Sequence, residues 1–562
     1  MKKETVKKTG KKVVNKPAVK AKETTVKTIS KPEVKKVEKV TVKKENKNVC
    51  KYVELGLALV AVVLLIVGIC VESAEMPCKL IGLLMLGVLG QVVIIQRKDH
   101  VLLKSVGVWA ITALLFTWFF PYGYFQGATF TEYGMQRVGL NDLPTVVYYA
   151  IYFSMDKIIF LLAMAGFYGL LSKTSGYQKV VSDMAKKAEN NKMLFAMLTV
   201  VVIVLLTALF SQTLAVLFFI PFVISILSKL KFDKLTSFVI TFGTLLAAMI
   251  GSPWGTEGQY WFNYYAGTTL TDGFTYRLIA EAFVLVLFLF FAWKRVKKME
   301  NKENAILVED VFEVSEPKAK TGKTAMIIIL AITALFMLLG YIKWETNFGV
   351  TVFSDFHTWL TGLTIGESTT IFSYILGKAA VAFGEWDIIT GATLIFVMSI
   401  IVGLVYRVKL SDYIDDVLDG MRKMAKPIAL FMVVFVVFVT AYTSPFIPTL
   451  TNWMYGLSDK FNPYLATIMA FITSVFHADF GYTGYVVGGF LKANFADNIA
   501  IAHTIYFAMY GLVQLLVPTS GILLLGLGYT KVEYKSWLKY IWKFAVGILV
   551  ILLVLFTIVT YA

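Results

Sequence analysis

The sequence predicts an all-α polytopic membrane protein of two inverted repeats, each with a re-entrant hairpin and a discontinuous helix. Three observations carry this expectation. At least eight separate apolar stretches between residues 54 and 560 are long enough to cross a bilayer, at about 17 or more residues each. The chain is 57% hydrophobic and only 16% charged, with a mean hydropathy of +0.70, well above the roughly 45–50% apolar content of soluble domains. Two of the apolar spans are interrupted by Gly, Pro and hydroxyl residues at corresponding places in the two halves.

The basic balance belongs to the amino-terminal end. Of a net charge of +17, residues 1–50 supply 17 Lys against 5 Glu. Residues 1–49 show neither helical nor strand period, so burial cannot repay their ordering entropy. They read as a disordered Lys-rich cytoplasmic tail, and attraction to anionic lipid, about 1 kcal/mol per Lys near the surface, is the functional alternative. Without interleaved aromatics and arginines the tail gives no nucleic-acid signature. The basic run is too long for a secretory signal, and no cleavage site follows. Cys50, Cys70 and Cys78 form neither a disulfide framework nor a metal site, and no cofactor is expected. Lysine placement puts the amino terminus in the cytoplasm of a multi-pass plasma-membrane protein.

The first transmembrane half covers 50–298. Crossings are expected at Val53–Val71, 79–95, 104–120 and 149–171, with an outer loop at 121–148. The amphipathic, lysine-rich stretch LSKTSGYQKVVSDMAKKAENNK follows on the inside. Residues 193–228 read as a hairpin with a polar tip at Ser211-Gln212-Thr213; Lys192 and Lys229, Lys231 and Lys234 put both feet on one side, although two full crossings satisfy the lengths equally. The helix over 235–265 stops inside its own apolar span at Gly251-Ser252-Pro253-Trp254-Gly255-Thr256. A crossing at 277–293, closed by Lys294, Arg295, Lys297 and Lys298, leads to a polar cytoplasmic linker, 299–323.

The second half, 324–562, repeats this order. Crossings at 324–341 and 387–405 flank a region, 342–386, in which no crossing is assigned. The stretch LSDYIDDVLDGMRKMAK pairs with the first amphipathic stretch and is less basic, as opposite orientation requires. A hairpin over 461–495 has its polar tip at His477–Thr483, a helix over 498–530 breaks at Val517-Pro518-Thr519-Ser520-Gly521, and 539–560 crosses last. Opposed repeats with helices broken at mid-depth are a signature of secondary transporters.

Ending a helix in mid-membrane strands backbone groups that hydrocarbon cannot satisfy. A polar solute can, and the helix ends carry partial charge that suits a carboxylate or an ammonium group. The expected solute-binding residues are therefore Ser211, Gln212, Thr213, Ser252, Pro253, Thr256, Glu257, His477, Asp479, Thr483, Pro518, Thr519 and Ser520. Pro253 and Pro518 keep the breaks from healing because they lack an N–H. Asp479 and His477 are the candidate coupling pair for H⁺ or Na⁺, with Glu257 and Asp156 as further intramembrane acids. The bland alternatives are packing kinks at the breaks and a wet vestibule around the acids. Trp254, Tyr260, Trp261, Phe262, Tyr264 and Tyr265 follow the first break, either as a surface for an organic cation or as an interfacial belt. No arginine sits at a tip or a break, which favours a neutral or cationic amino acid.

The closing stretch LLVPTSGILLLGLGYTKVEYKSWLKY, with Pro518-Thr519-Ser520-Gly521, Tyr534, Trp537 and Leu538, closely resembles the end of the YfcC-type branch of the C4-dicarboxylate carrier C family, and IIFLLAMAGFYGLLSKTSGYQK fits the same pattern. The resemblance covers about residues 50–560. It implies membership of the ion-transporter superfamily, homodimers, inverted repeats, an elevator-like motion, coupling to Na⁺ or H⁺ and, in some members, arginine/ornithine exchange. The first break departs from the family's usual Gly-Ser-Thr-x-Asn-Pro-Phe, and His477-Ala478-Asp479-Phe480-Gly481 departs from Pro-Ser-Gly-Ser-Gly.

The reading is thus a secondary active transporter of an amino acid, with arginine/ornithine antiport foremost. A proton- or sodium-coupled carrier of carboxylates or small peptides is the alternative, and a membrane-embedded enzyme is remote. Paired Asp-rich motifs and His-x-x-x-His are lacking, and Gly322-Lys323-Thr324 lacks the earlier glycine of a phosphate-binding loop.

Overall fold

In hydrocarbon a long apolar chain satisfies its own peptide groups most directly as helix, and helix dominates here. The computed structural model describes residues 34–561 apart from 98, 301–305, 314–321, 366–368 and 378. The chain divides into two units, residues 1–59 and 60–562. Helix α1 runs from Val34 to Cys70, further back than the crossing expected at Val53. It takes in residues 34–49, which the sequence reading assigned to the disordered tail. This segment is free of Gly and Pro, and its Lys and Glu are good helix formers. The rest of the tail lies outside the described residues.

Helices α2 (Glu75–Ile95) and α3 (Val101–Phe119) lead to an antiparallel hairpin of β1 (Tyr122–Gln126) and β2 (Thr129–Gly134). Next come α4 (Leu143–Ser172) and the amphipathic α5 (Ser175–Glu189), capped by Thr174. Helix α6 (Lys192–Leu209) turns at Phe210–Gln212 into a 3₁₀ stretch (Thr213–Phe219) and α7 (Ile220–Lys229). Helices α8 (Lys234–Phe238) and α9 (Thr244–Ala248), joined through one π turn, stop before α10 (Glu257–Ala266). Helix α11 (Phe274–Glu300) ends this half.

The second half opens with α12 (Lys323–Tyr341). Short pieces follow: α13 (Trp344–Phe348), α14 (Val352–Gly362), β3 (Thr364–Ile365), β4 (Thr369–Thr370) and α15 (Ile371–Leu376). None of them is long enough to cross. Then come α16 (Ile388–Val405), α17 (Leu410–Val433), α18 (Phe435–Thr443) and α19 (Ile447–Tyr455). A second hairpin, α20 (Pro463–Phe476) and α21 (Phe480–Asn494), precedes the broken pair α22 (Ile499–Leu516) and α23 (Gly521–Thr530), and α24 (Tyr534–Tyr561) closes the chain. Among the described residues, 11 helical spans are long and apolar enough to cross a bilayer.

One pairing of the sequence reading is corrected. LSDYIDDVLDGMRKMAK is not a free-standing counterpart of α5. It forms the start of α17, which continues through Pro427 into apolar sequence. The chain pauses instead at Ser444-Pro445, and α19 stands between a crossing and a hairpin as α5 does. The repeated order is therefore α4, α5, α6–α7, α8–α10, α11 against α17–α18, α19, α20–α21, α22–α23, α24.

The two hairpins open toward opposite ends of α4, whose 30 residues span about 45 Å. The foot of α7 and the start of α8 meet a strap at residues 306–313, near Tyr168 at the far end of α4. The feet of α20 and α21 lie beside α19 and the β1–β2 hairpin, at its beginning. The strap is the described part of the linker, and it is docked. Lys234 N donates to Ile306 O at 3.0 Å and Val308 N to Phe232 O at 2.9 Å. Phe312 is buried between the rings of Tyr168 and Tyr529. Glu309 takes Lys531 at 2.6 Å, and this bond holds its carboxyl below the usual range; burial pushes the Asp310 carboxyl up.

Lipid offers no hydrophobic gain for helix association, so close backbone packing must supply it. Helices α4 and α17 cross at Gly169 and Gly420, where an added Cβ at Gly420 would meet Ala165 O at 2.2 Å and one at Gly169 would meet Asp416 O at 2.6 Å. The interior helices are α22–α23 and α17–α18, with 78% and 67% of their most apolar stretch buried, against 28% for α11 and 28% for α24. A buried ion pair anchors the first broken helix: Arg295 Nη2 meets Asp233 Oδ1 at 2.7 Å, and Asp233 also caps α8 through Thr236 N at 3.0 Å.

Gly420→Val is expected to destabilise the fold by about 1–3 kcal/mol through overpacking, read as a lower Tm in detergent and a loss of the monodisperse fraction. Arg295→Met should cost about 3–5 kcal/mol, because it leaves Asp233 buried and unpaired; adding Asp233→Asn should recover part of the lost Tm.

Candidate functional site

The site is built from four interruptions of helix. At the first tip, Ser211 N donates to Tyr341 O at 2.9 Å, and Ser211 O accepts from Glu257 N at 2.6 Å. Gln212 Nε2 donates to Glu257 Oε2 at 2.7 Å. The first tip and the start of α10 are thus tied together twice. The Ser211 hydroxyl is buried and has no hydrogen-bond partner among the described residues.

The first break, between α9 and α10, is held from behind. A Cβ on Gly251 would lie 2.5 Å from Glu281 N on α11, and one on Gly511 of α22 would lie 2.6 Å from Ile250 Cα. Only glycine lets these backbones approach so closely. Gly255, at φ +84°, turns the chain into α10. Arg277 of α11 is buried and donates to Pro253 O at 3.4 Å, Leu270 O at 2.5 Å and Asp272 O at 2.8 Å. Ser252 is fully buried, with its hydroxyl 3.3 Å from Thr207 O. Protein groups, not a solute, therefore satisfy Ser252 and Pro253.

At the second tip Asp479 caps α21, accepting from Gly481 N at 2.7 Å. Tyr510 donates to Ala478 O at 2.9 Å. His477 turns the other way: its Nδ1 lies 3.1 Å from the Thr483 hydroxyl, and its ring packs edge-on against Phe438 and Tyr482. At the second break Ser520 caps α23 through Leu523 N at 3.2 Å. The stranded carbonyls of α22 go to α24, with Tyr534 donating to Leu516 O at 2.6 Å and Trp537 to Leu515 O at 2.9 Å.

These parts enclose one cavity of about 210 Å³. Ser211, Gln212, Thr213, Thr256, Glu257 and Asp479 border it, as does Asp156. Ser252, Pro253, His477, Thr483, Pro518, Thr519 and Ser520 do not border it; of the second break only Gly521 reaches it, together with Ile522. The pairing of His477 with Asp479 is not made, because the tip directs one ring into α18 and the other side chain into its own helix cap.

The cavity is bordered by the amino ends of four helical segments. Thr213 begins the run into α7, Glu257 and Gly258 begin α10, Phe480 begins α21, and Gly521 and Ile522 begin α23. Packing of α10 on α21 holds two of them side by side: Gly481, Gly484 and Gly488 give α21 a bare face on which Trp261, Phe262 and Tyr265 lie. This sorts the aromatic cluster. Phe262 is core, stacked on Phe480 at 5.1 Å and on His503 at 4.6 Å, Trp261 reaches the cavity, and Tyr260 and Tyr264 are exposed.

Lys157 borders the cavity paired with Asp156 at 3.0 Å, and sequence reasoning passed over Tyr510, Gln514, Phe431 and Phe435, which also border it. Lys157 had a signal, since an ionisable residue inside an apolar span is a functional hypothesis by default. The others look like ordinary helix residues until the helices are packed.

The profile of the C4-dicarboxylate anaerobic carriers matches residues 102–561. Among solved structures, the YdaH transporter of Alcanivorax borkumensis is similar at a TM-score of 0.39 and 12% identity, over 83% of this chain and 99% of that one. No curated protein matches. With the profile running over most of its length, the chain belongs to the DcuC family of C4-dicarboxylate anaerobic carriers.

Proposed function

We propose that the protein is a secondary carrier of a small carboxylate, which it moves by alternating access between its two hairpins. The observation that carries this reading is the meeting of four helix amino ends at one cavity. Each end is worth about half a positive charge and presents free N–H groups to an anion. Two are already engaged by acids of the protein, Glu257 in the first turn of α10 and Asp479 as the cap of α21. The ends at Thr213 and Gly521, the second capped by the uncharged Ser520 hydroxyl, keep their partial charge, together about one positive charge, enough for one carboxylate group. Lys157 is offset by Asp156. A second carboxylate would therefore enter with a proton or another cation. The family's description favours this reading, and a cavity smaller than the usual 300–1,000 Å³ of drug-sized ligands favours a small solute over a peptide.

A second reading keeps the amino acid, including arginine/ornithine exchange. Its support is the surplus of acids: Asp156, Glu257 and Asp479 against Lys157 alone. The carboxylate would sit at the amino ends and the ammonium group at Asp479. In either case we assign the hairpins and broken helices to the moving part, a second copy to the fixed part, and the Lys-rich end of the bundle to the cytoplasm.

Counterflow in proteoliposomes with labelled succinate, aspartate and arginine tests the choice. Succinate exchange is expected; arginine exchange without succinate exchange would overturn the first reading. Asp479→Asn keeps a helix cap. It should leave succinate exchange within about threefold, whereas an ammonium-bearing solute would lose at least about tenfold. Gln212→Leu unties the first tip from α10 and is expected to reduce exchange by about tenfold, with Tm close to the parent's.

A further inference from the structure

Glu281 is the buried acid that the site does not use. It lies two turns into α11, it is 6% exposed, and neither carboxyl oxygen has a hydrogen-bond partner among the described residues. Its place is not arbitrary. Its backbone is the surface on which Gly251, at the first break, rests. Arg277, one turn earlier on the same helix, spends its donors on Pro253 O, Leu270 O and Asp272 O and makes no ion pair with Glu281. Helix α11 therefore carries both the cation that holds the break and an unpaired acid against which the break is packed.

We propose that Glu281 carries the proton coupled to solute movement. The inference rests on the chain being a carrier, not on which solute it carries. An unpaired carboxylate ion inside a membrane protein is costly, and such acids mark proton relays. Here the group holds its proton as a carboxylic acid. When the first break shifts during alternating access, water reaches the carboxyl, the O–H bond breaks and the proton passes to water as hydronium; the return step takes a proton from water on the other side. A metal cation fits poorly, since it needs several oxygen ligands and neither oxygen of this carboxyl has a hydrogen-bond partner among the described residues. Other titratable groups lie on the elements packed against this helix. Helix α22 presents His503, Tyr506 and Tyr510; α6 and α8 carry Lys192 and Lys234 at their far ends; α24 carries Tyr534, Lys535, Lys539, Tyr540 and Lys543 near its start, with Tyr540 by Arg295; α9 has none.

Glu281→Gln in proteoliposomes of the full chain separates coupling from transport. Counterflow without a pH gradient should stay within about threefold, while accumulation driven by an inward-directed proton gradient and the accompanying proton influx should fall at least about tenfold. Wild-type gradient-driven accumulation in Glu281→Gln overturns the proposal, as does a parent protein whose accumulation follows a Na⁺ gradient and ignores pH. Infrared spectroscopy gives a readout independent of any solute. The parent should show the carbonyl band of a protonated carboxylic acid, lost in Glu281→Gln, or shifted in Glu281→Asp if the Gln variant does not fold. A parent without that band overturns the proposal. If no carboxylate and no amino acid is exchanged, the solute reading alone fails, and the infrared band still decides Glu281.

Discussion

Every peptide group that leaves a helix inside a bilayer must find a partner there, and this chain leaves helix four times at the level of one cavity. Each unpaired group costs several kcal/mol in hydrocarbon, so the partners it recruits dictate much of the architecture. Helix α24 lies where Tyr534 and Trp537 reach the last carbonyls of α22. Helix α11 lies where Arg277 reaches Pro253 O. Helix α12 ends where Tyr341 O accepts from Ser211. Carboxyl ends of the broken helices are thus largely satisfied from outside the cavity, and amino ends are left facing in. The division has a chemical meaning: what remains for a solute is a set of donors.

The same economy explains the glycines that matter. Gly251 and Gly511 let the first break press against two helices at once, and Gly481, Gly484 and Gly488 let α10 lie on α21. Without a hydrophobic drive between helices in lipid, this close approach is the main source of packing energy. It also couples the site to its surroundings. A movement of the first break displaces the backbone of Glu281, the hairpin tip through Gln212 and Glu257, and α22 through Gly511.

Much of this was legible in the sequence. Length and polarity of the apolar runs set the membrane class, and Ser211–Thr213, Gly251–Thr256, His477–Thr483 and Val517–Gly521 each fall where the helices are interrupted. Order along the chain revealed the repeat, although it assigned α5 the wrong partner, because an amphipathic stretch that continues into a membrane helix looks like one that stops. The tail reading overlapped α1 for a similar reason: charge composition argues for solvent, not against helix.

Which side chains meet was a different matter. Periodicity places a residue on a helix, but a break resets the direction of everything after it, so His477 and Asp479, two residues apart, face different neighbours. Lys157, Arg277 and Glu281 come from intact helices, where an ionisable residue in an apolar span is conspicuous but its neighbours are not. The sequence by itself determined that helices would be interrupted within apolar stretches and roughly where, because hydropathy and helix-breaking residues are local properties. Only the tertiary structure decided which ends point inward and which distant groups complete them, because that depends on how helices far apart in the chain pack.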